Sequence, residues 1–123
     1  MVLRRVLDTN AILYLLGGKV KEGLPAGEYL IFVISEIELL SYPLLDSTAE
    51  SKIQDFLSEV AIVDLTEEVK NLAISLRREH QVKLPDAIVA ATALSVGAVL
   101  VTNDAKLLRV PGLSCQQLHL TSQ

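Results

Sequence analysis

The segment Val2-Leu3-Arg4-Arg5-Val6-Leu7-Asp8-Thr9-Asn10 sets the pattern for the rest of the chain. Residues 2–7 carry aliphatic and β-branched side chains and read as a strand that stops at Asp8. Residues 9–16 follow with helical spacing and close on Gly17-Gly18, a pair that ends helices because glycine tolerates the backbone of a helix stop. A strand passing straight into a helix through one polar residue is the building unit of an α/β protein.

Outward from there the unit repeats. Residues 19–24 read as a short piece of helical character, and the aromatic and β-branched run 29–34 as a second strand. Ser35 is expected to cap a helix reaching Ser41, with Pro43 as a break. Residues 46–58 are amphipathic, and Ile53, Phe56, Leu57 and Val60 recur at helical spacing. A short strand over 61–65 leads into Thr66-Glu67-Glu68, which opens a helix to His80 with its acids at the positive end of the dipole. Pro85 begins another helix, ended by Gly97. Residues 98–102 form a fourth strand, and 113–118 a fifth after the Pro111-Gly112 turn. With no repeat or linker, the alternation predicts one α/β domain over residues 1–123 with a mostly parallel sheet.

Composition narrows the classes. Half of the residues are hydrophobic, which excludes disorder, and no apolar run reaches the roughly 18 residues of a membrane span. The N-terminal residues lack the apolar core of a signal peptide, so the chain is read as cytoplasmic. Cys115 is the single cysteine and reads as a small buried hydrophobe; His80 and His119 are too few for a zinc site. The net charge of −4 argues against a nucleic-acid coat protein. Aliphatic helices in so short a chain cannot all face one core, so some are expected to meet another subunit.

Placed on these elements, the acids are not scattered. Asp8 ends the first strand, Glu36 and Glu38 lie in the first turn after the second, Asp86 opens the Pro85 helix, and Asp104 follows the fourth strand. In an open parallel sheet the carboxyl ends of the strands share one edge, where ligands bind. Each acid alone suits a helix N-terminus, and Ser35 with Glu38 makes a capping box. Several carboxylates on one edge, however, repel each other unless a cation compensates, and an oxygen-only set suits Mg²⁺ or Mn²⁺. If four of the fifteen acids are ligands, the remaining eleven balance the eleven Lys and Arg, so an acidic chain is compatible with an RNA substrate.

The text Leu7-Asp8-Thr9-Asn10, Ile34-Ser35-Glu36-Ile37-Glu38-Leu39-Leu40, Leu84-Pro85-Asp86-Ala87 and Val101-Thr102-Asn103-Asp104 resembles the PIN-domain family, and within it the VapC-like toxins of toxin–antitoxin pairs. Order and spacing agree over almost the whole chain; Ser35 stands where these proteins more often carry Thr. The resemblance implies a three-layer α/β/α PIN-like fold with a sheet of four to five strands. It further implies hydrolysis of RNA phosphodiester bonds at a carboxylate-bound Mg²⁺ or Mn²⁺, a homodimer, and a small antitoxin partner.

On that reading Asp8, Glu38, Asp86 and Asp104 are the catalytic metal ligands, with Glu36 left facing solvent or secondary. Asn10 and Thr102 would orient ligands or the scissile phosphate. Arg77, Arg78, Lys83 and Lys106 are candidates for substrate-backbone contacts, against the ordinary reading of solvated charges. Two other classes remain open. One is a different acid-site α/β phosphohydrolase, although Asn10 stands where a haloacid-dehalogenase-type phosphatase would carry its second Asp. The other is a non-toxin or inactive PIN module that binds RNA or protein.

Overall fold

In the computed structural model, which describes residues 3–121, strands and helices alternate along the chain. β1 (Arg4–Leu7) leads into α1 (Thr9–Leu16), and β2 (Glu28–Phe32) into α2 (Val33–Leu40) and α3 (Ser47–Leu57). β3 (Ala61–Val63) is followed by α4 (Glu67–His80) and α5 (Leu84–Ser95). β4 (Val99–Val101), the short α6 (Ala105–Leu108) and β5 (Cys115–Gln116) complete the order.

The strands form one five-stranded sheet, β3-β2-β1-β4-β5, parallel at every pairing. β1 is central because its residues feed both faces. Val6 joins Leu30, Phe32 and Leu100 in the core under α4 and α5, while Leu7 joins Ile31 and Val101 under α1, α2 and α3. This period-two alternation, covered on both sides, is what makes a parallel sheet apolar throughout. α5 carries Ala87, Ala90, Ala91 and Ala93, all fully buried, and small side chains let it lie close to the sheet. The chain builds outward from β1 to β3, then returns to the other side of β1 for β4. Right-handed crossovers in opposite directions place their helices on opposite faces, which gives the three layers.

Local signals explain most boundaries. Asp46 caps α3 by accepting from the Ala49 amide at 2.7 Å, and Thr66 caps α4 by accepting from the Val69 amide at 3.1 Å. The expected first strand included Val2, which lies outside the described residues. Residues 19–24 are not helical; Val20 instead makes an antiparallel bridge with Leu120. β5 is shorter than the run 113–118, and α6 lies in a stretch read as connection.

The expected helix cap at Ser35 is corrected. β2 ends at Phe32 and α2 starts at once on Val33, with Phe32 at the cap and no side-chain cap bond. Ser35 sits inside the first turn, 2% exposed, with its hydroxyl bonded to Thr9 of α1. A tertiary bond has taken the hydroxyl that local geometry would have used for capping.

Candidate active site

Because strand order reverses beside β1, the carboxyl ends of β1 and β4 leave a crevice between them. A cleft of about 350 Å³ opens there, and Asp8, Glu38, Asp86 and Asp104 all line it. Asn10 lines it too, with its side chain exposed; Glu36 does not.

Asp8 is the best-held acid. Its Oδ1 accepts from the Ala11 amide at 2.7 Å, which caps α1, and its Oδ2 accepts from the Thr102 hydroxyl. Thr102 follows β4 directly and is fully buried; its Oγ1 accepts from the Asp104 amide at 3.1 Å. One buried hydroxyl thus ties the acid ending β1 to the acid following β4. Asp104 in turn accepts from the Lys106 amide at 2.9 Å, capping α6.

Glu38, expected in the first turn, lies in the second turn of α2 because the helix starts at Val33, and it reaches the cleft from there. Thr9 donates its proton to Glu38 Oε1 at 2.7 Å, which leaves the Ser35 hydroxyl, 2.9 Å away, to donate to Thr9. Asp86 lies in the first turn of α5, where Pro85 fits the helix start.

The electrostatics carry the mark of burial first and of crowding second. Burial pushes the Asp8 carboxyl up; the bonds from Thr102 and Ala11 pull the other way, and the charges of Asp104 and Asp86 add to the rise. Asp86 is raised by partial burial and then by Asp104, opposed by Lys106 and Lys83. The same field reaches Cys115, whose thiol is raised by burial and by Asp8.

Residues 5–113 match the family model of the PIN domain. The chain belongs to the PIN-domain family. Solved structures agree in fold with this PIN domain. VapBC2 from Rickettsia felis, bound to a DNA fragment from its promoter, is 23% identical with TM-score 0.80, covering 95% of this chain and 100% of that one. A toxin–antitoxin complex from Klebsiella pneumoniae is 26% identical with TM-score 0.75, covering 89% and 94%. DNA-bound VapBC from Salmonella typhimurium is 23% identical with TM-score 0.80, covering 94% and 98%. No curated protein matches the chain.

PIN domains are in general nucleases that use divalent metal ions, and the donor set of this cleft fits such an ion. Among the described residues no three Asp, Glu, His or Cys side chains stand close enough to enclose one ion. Mg²⁺ does not require that cage, since it keeps several waters and takes one or two carboxylates together with substrate phosphate. Asp8 and Asp86, each raised first by burial and further by neighbouring negative charge, are oxygen donors of that kind.

The basic candidates separate. Lys83 and Lys106 flank the cleft closely enough to act on Asp86, whereas Arg77 and Arg78 sit exposed on the last turn of α4 and line neither it nor the cavity beside it. Sequence reading had passed over Thr9 and Asn103. Thr9 stands between two selected positions and opens a helix at the active edge, a signal available in Asp8-Thr9-Asn10. Asn103 bonds the Leu118 backbone through both amide atoms, at 3.1 and 2.8 Å, and so holds the segment after β4 against the one after β5. Nothing local in the sequence shows that contact.

Proposed function

We propose that this PIN domain is a Mg²⁺- or Mn²⁺-dependent endoribonuclease and the toxin of a toxin–antitoxin pair. The observation that supports it most is the shared cleft of Asp8, Glu38, Asp86 and Asp104, lined by no His or Cys. Without a nucleophile–base pair, hydrolysis by water is the chemistry open to it. A divalent ion supplies a more acidic water and positive charge beside the phosphodiester. The chain's part is to hold the carboxylates: Thr102 and the Ala11 amide fix Asp8, and Thr9 turns Glu38 toward the cleft. Asn10, exposed and lining the cleft, would meet the phosphate or a water beside it.

The toxin reading is supported by the fold likeness to toxin–antitoxin structures. It is also supported by apolar residues at the cleft mouth, where Ile34 is 47% and Tyr42 44% exposed. A small antitoxin covering the cleft, a second copy pairing as a homodimer, and a cytoplasmic site of action belong to this proposal. Among the described residues no helix is long and apolar enough to cross a membrane.

The test is hydrolysis of RNA by the purified protein with and without Mg²⁺ or Mn²⁺. Cleavage that needs the ion and is lost in Asp86→Asn is expected, since the substitution keeps shape and removes a ligand charge. Cleavage in EDTA, or unchanged cleavage by the variant, would contradict it. Expressed alone in a bacterial host, the wild type should arrest growth and Asp8→Asn should not; equal growth would leave a nuclease that is no toxin.

A further inference from the structure

Beside the acid cleft lies a second cavity of about 490 Å³ with the opposite character. Lys83, Lys106 and Arg109 line it, and no Asp or Glu does. Among the described residues none of these three cations forms an ion pair with an acid. They come from two separate stretches brought together by the fold. Gln81 ends α4 in the left-handed region at φ 54°, turning the chain so that Lys83 precedes α5, while Lys106 and Arg109 belong to α6 and its end. On a chain of net charge −4, such a concentration of unpaired positive charge needs a reason.

Residues close in sequence line the cavity and the cleft. At the start of α5, Pro85 and Asp86 face the cleft while Lys83 faces the cavity. Across from it, Asp104 faces the cleft and Lys106 the cavity. A polyanion with one phosphate among the carboxylates would therefore run its next phosphates over the cations.

We propose that this cavity binds the sugar–phosphate backbone of single-stranded RNA next to the scissile bond, with Lys83, Lys106 and Arg109 contacting its phosphates. The proposal rests on the ribonuclease reading and adds where the substrate lies. The two lysines act as point charges, and Arg109 offers a fork that fits two phosphate oxygens. Phosphate contacts position a strand without reading its bases, so this subsite sets affinity and register rather than sequence.

Substitution here leaves the fold alone. The Lys83 side chain makes no cap bond, and Lys106 donates to the Asp104 cap of α6 through its backbone amide, which the substitution keeps. Binding is read by fluorescence anisotropy of a fluorescein-labelled single-stranded RNA of roughly a dozen nucleotides. The parent is the Asp86→Asn protein in Mg²⁺, so that the RNA stays intact. Lys83→Gln with Lys106→Gln should weaken binding roughly tenfold or more at low salt. It should also flatten the log–log salt dependence by about 1.4, or about 0.7 for each phosphate left without its cation. Arg109→Gln should flatten it further. Arg77→Gln with Arg78→Gln makes the same change in net charge outside the cavity, and should shift binding by less than about twofold. Equal losses in the two double variants would reduce the effect to overall charge and overturn the subsite, as would no loss in either. A parent that fails to bind RNA while the wild type cleaves it would overturn the subsite alone. Failure of the wild type to cleave RNA would overturn the ribonuclease reading with it.

Discussion

On the β1–β4 side of the cleft Asp8 is half-buried and both its oxygens accept hydrogen bonds, whereas on the α2 side Glu38 is exposed and held by one hydroxyl. The first arrangement is built into the sheet: Asp8 ends a central strand, and its partner Thr102 is fully buried past the neighbouring strand. The second hangs on contact between two helices through Ser35 and Thr9. The difference separates an acid whose position follows from the fold from one that a small helix shift would release. Fixed ligands keep their geometry without reorganisation when charge develops, so the β1–β4 side should carry more of the catalytic effect.

That contrast can be broken by substitution. Asp8→Asn should cost on the order of 10²–10³-fold in metal-dependent RNA cleavage, the scale for losing one preorganised electrostatic group. Glu38→Gln should cost less, roughly 10- to 100-fold, and Glu36→Gln, outside the cleft, about nothing. Cleavage rates of the three variants under one condition check the ranking. A larger loss from Glu38→Gln than from Asp8→Asn would invert the contrast.

The supporting hydroxyls should follow the same order with smaller effects. Thr102→Val keeps the shape but removes the donor to Asp8 and the acceptor for the Asp104 amide. It should lower cleavage roughly 10- to 100-fold and stability by about 1–3 kcal/mol, because half-buried partners are left unsatisfied. Thr9→Val frees the exposed Glu38 and also removes the acceptor of the buried Ser35 hydroxyl, so a stability cost of about 1 kcal/mol in denaturant unfolding should come from Ser35, with little from Glu38. Equal costs would mean that the two sides are equally constrained.

Much of the fold could be read along the chain because its signals are local. The Asp46 and Thr66 caps, the Pro85 helix start and the alternation of Val6 with Leu7 each sit within a few residues of the feature they cause. Asp8, Asp86 and Asp104 could be picked for the same reason, each standing at a helix start, whereas Glu38, in the second turn of α2, was marked only by its motif. Their gathering in one cleft depends on β4 returning beside β1, which no short segment encodes. Ser35 shows the limit. Its local pattern is a capping box, yet burial against α1 gave its hydroxyl a tertiary partner and moved the helix start back to Val33. The basic cavity was half legible: Lys83 and Lys106 stood out as charges near motif acids, but Arg109 joins them only through the turn after α6. Arg77 and Arg78, equally basic in sequence, are exposed on the last turn of α4 and line neither the cleft nor the cavity.

The burial of Asp8 and Asp86, with the crowding of acids around them, has a smaller consequence for stability. Asp8 and Asp86 are raised in the folded state, so between the unfolded carboxyl range near pH 4 and their raised values the native protein holds protons that the unfolded chain has lost. With other groups equal, metal-free stability should fall as pH rises through that window and stay lower above it. Melting temperatures in EDTA across the window read this slope directly, and Asp8→Asn should flatten it. An unchanged slope in the variant would assign the pH dependence to other acids.

The central claim is that these carboxylates are held together for a cation, and one set of thermal melts tests it. At pH 7 in EDTA, Asp8→Asn should melt above wild type, because the fold disfavours the charged form of Asp8 and the neutral isostere escapes that cost. With Mg²⁺ at a hundredfold excess over Kd, wild type should gain about 2.7 kcal/mol and overtake the variant, whose gain should be smaller. A wild type that melts higher in EDTA, or equal gains from Mg²⁺ in both proteins, would make Asp8 a structural helix cap and leave the cleft without its metal.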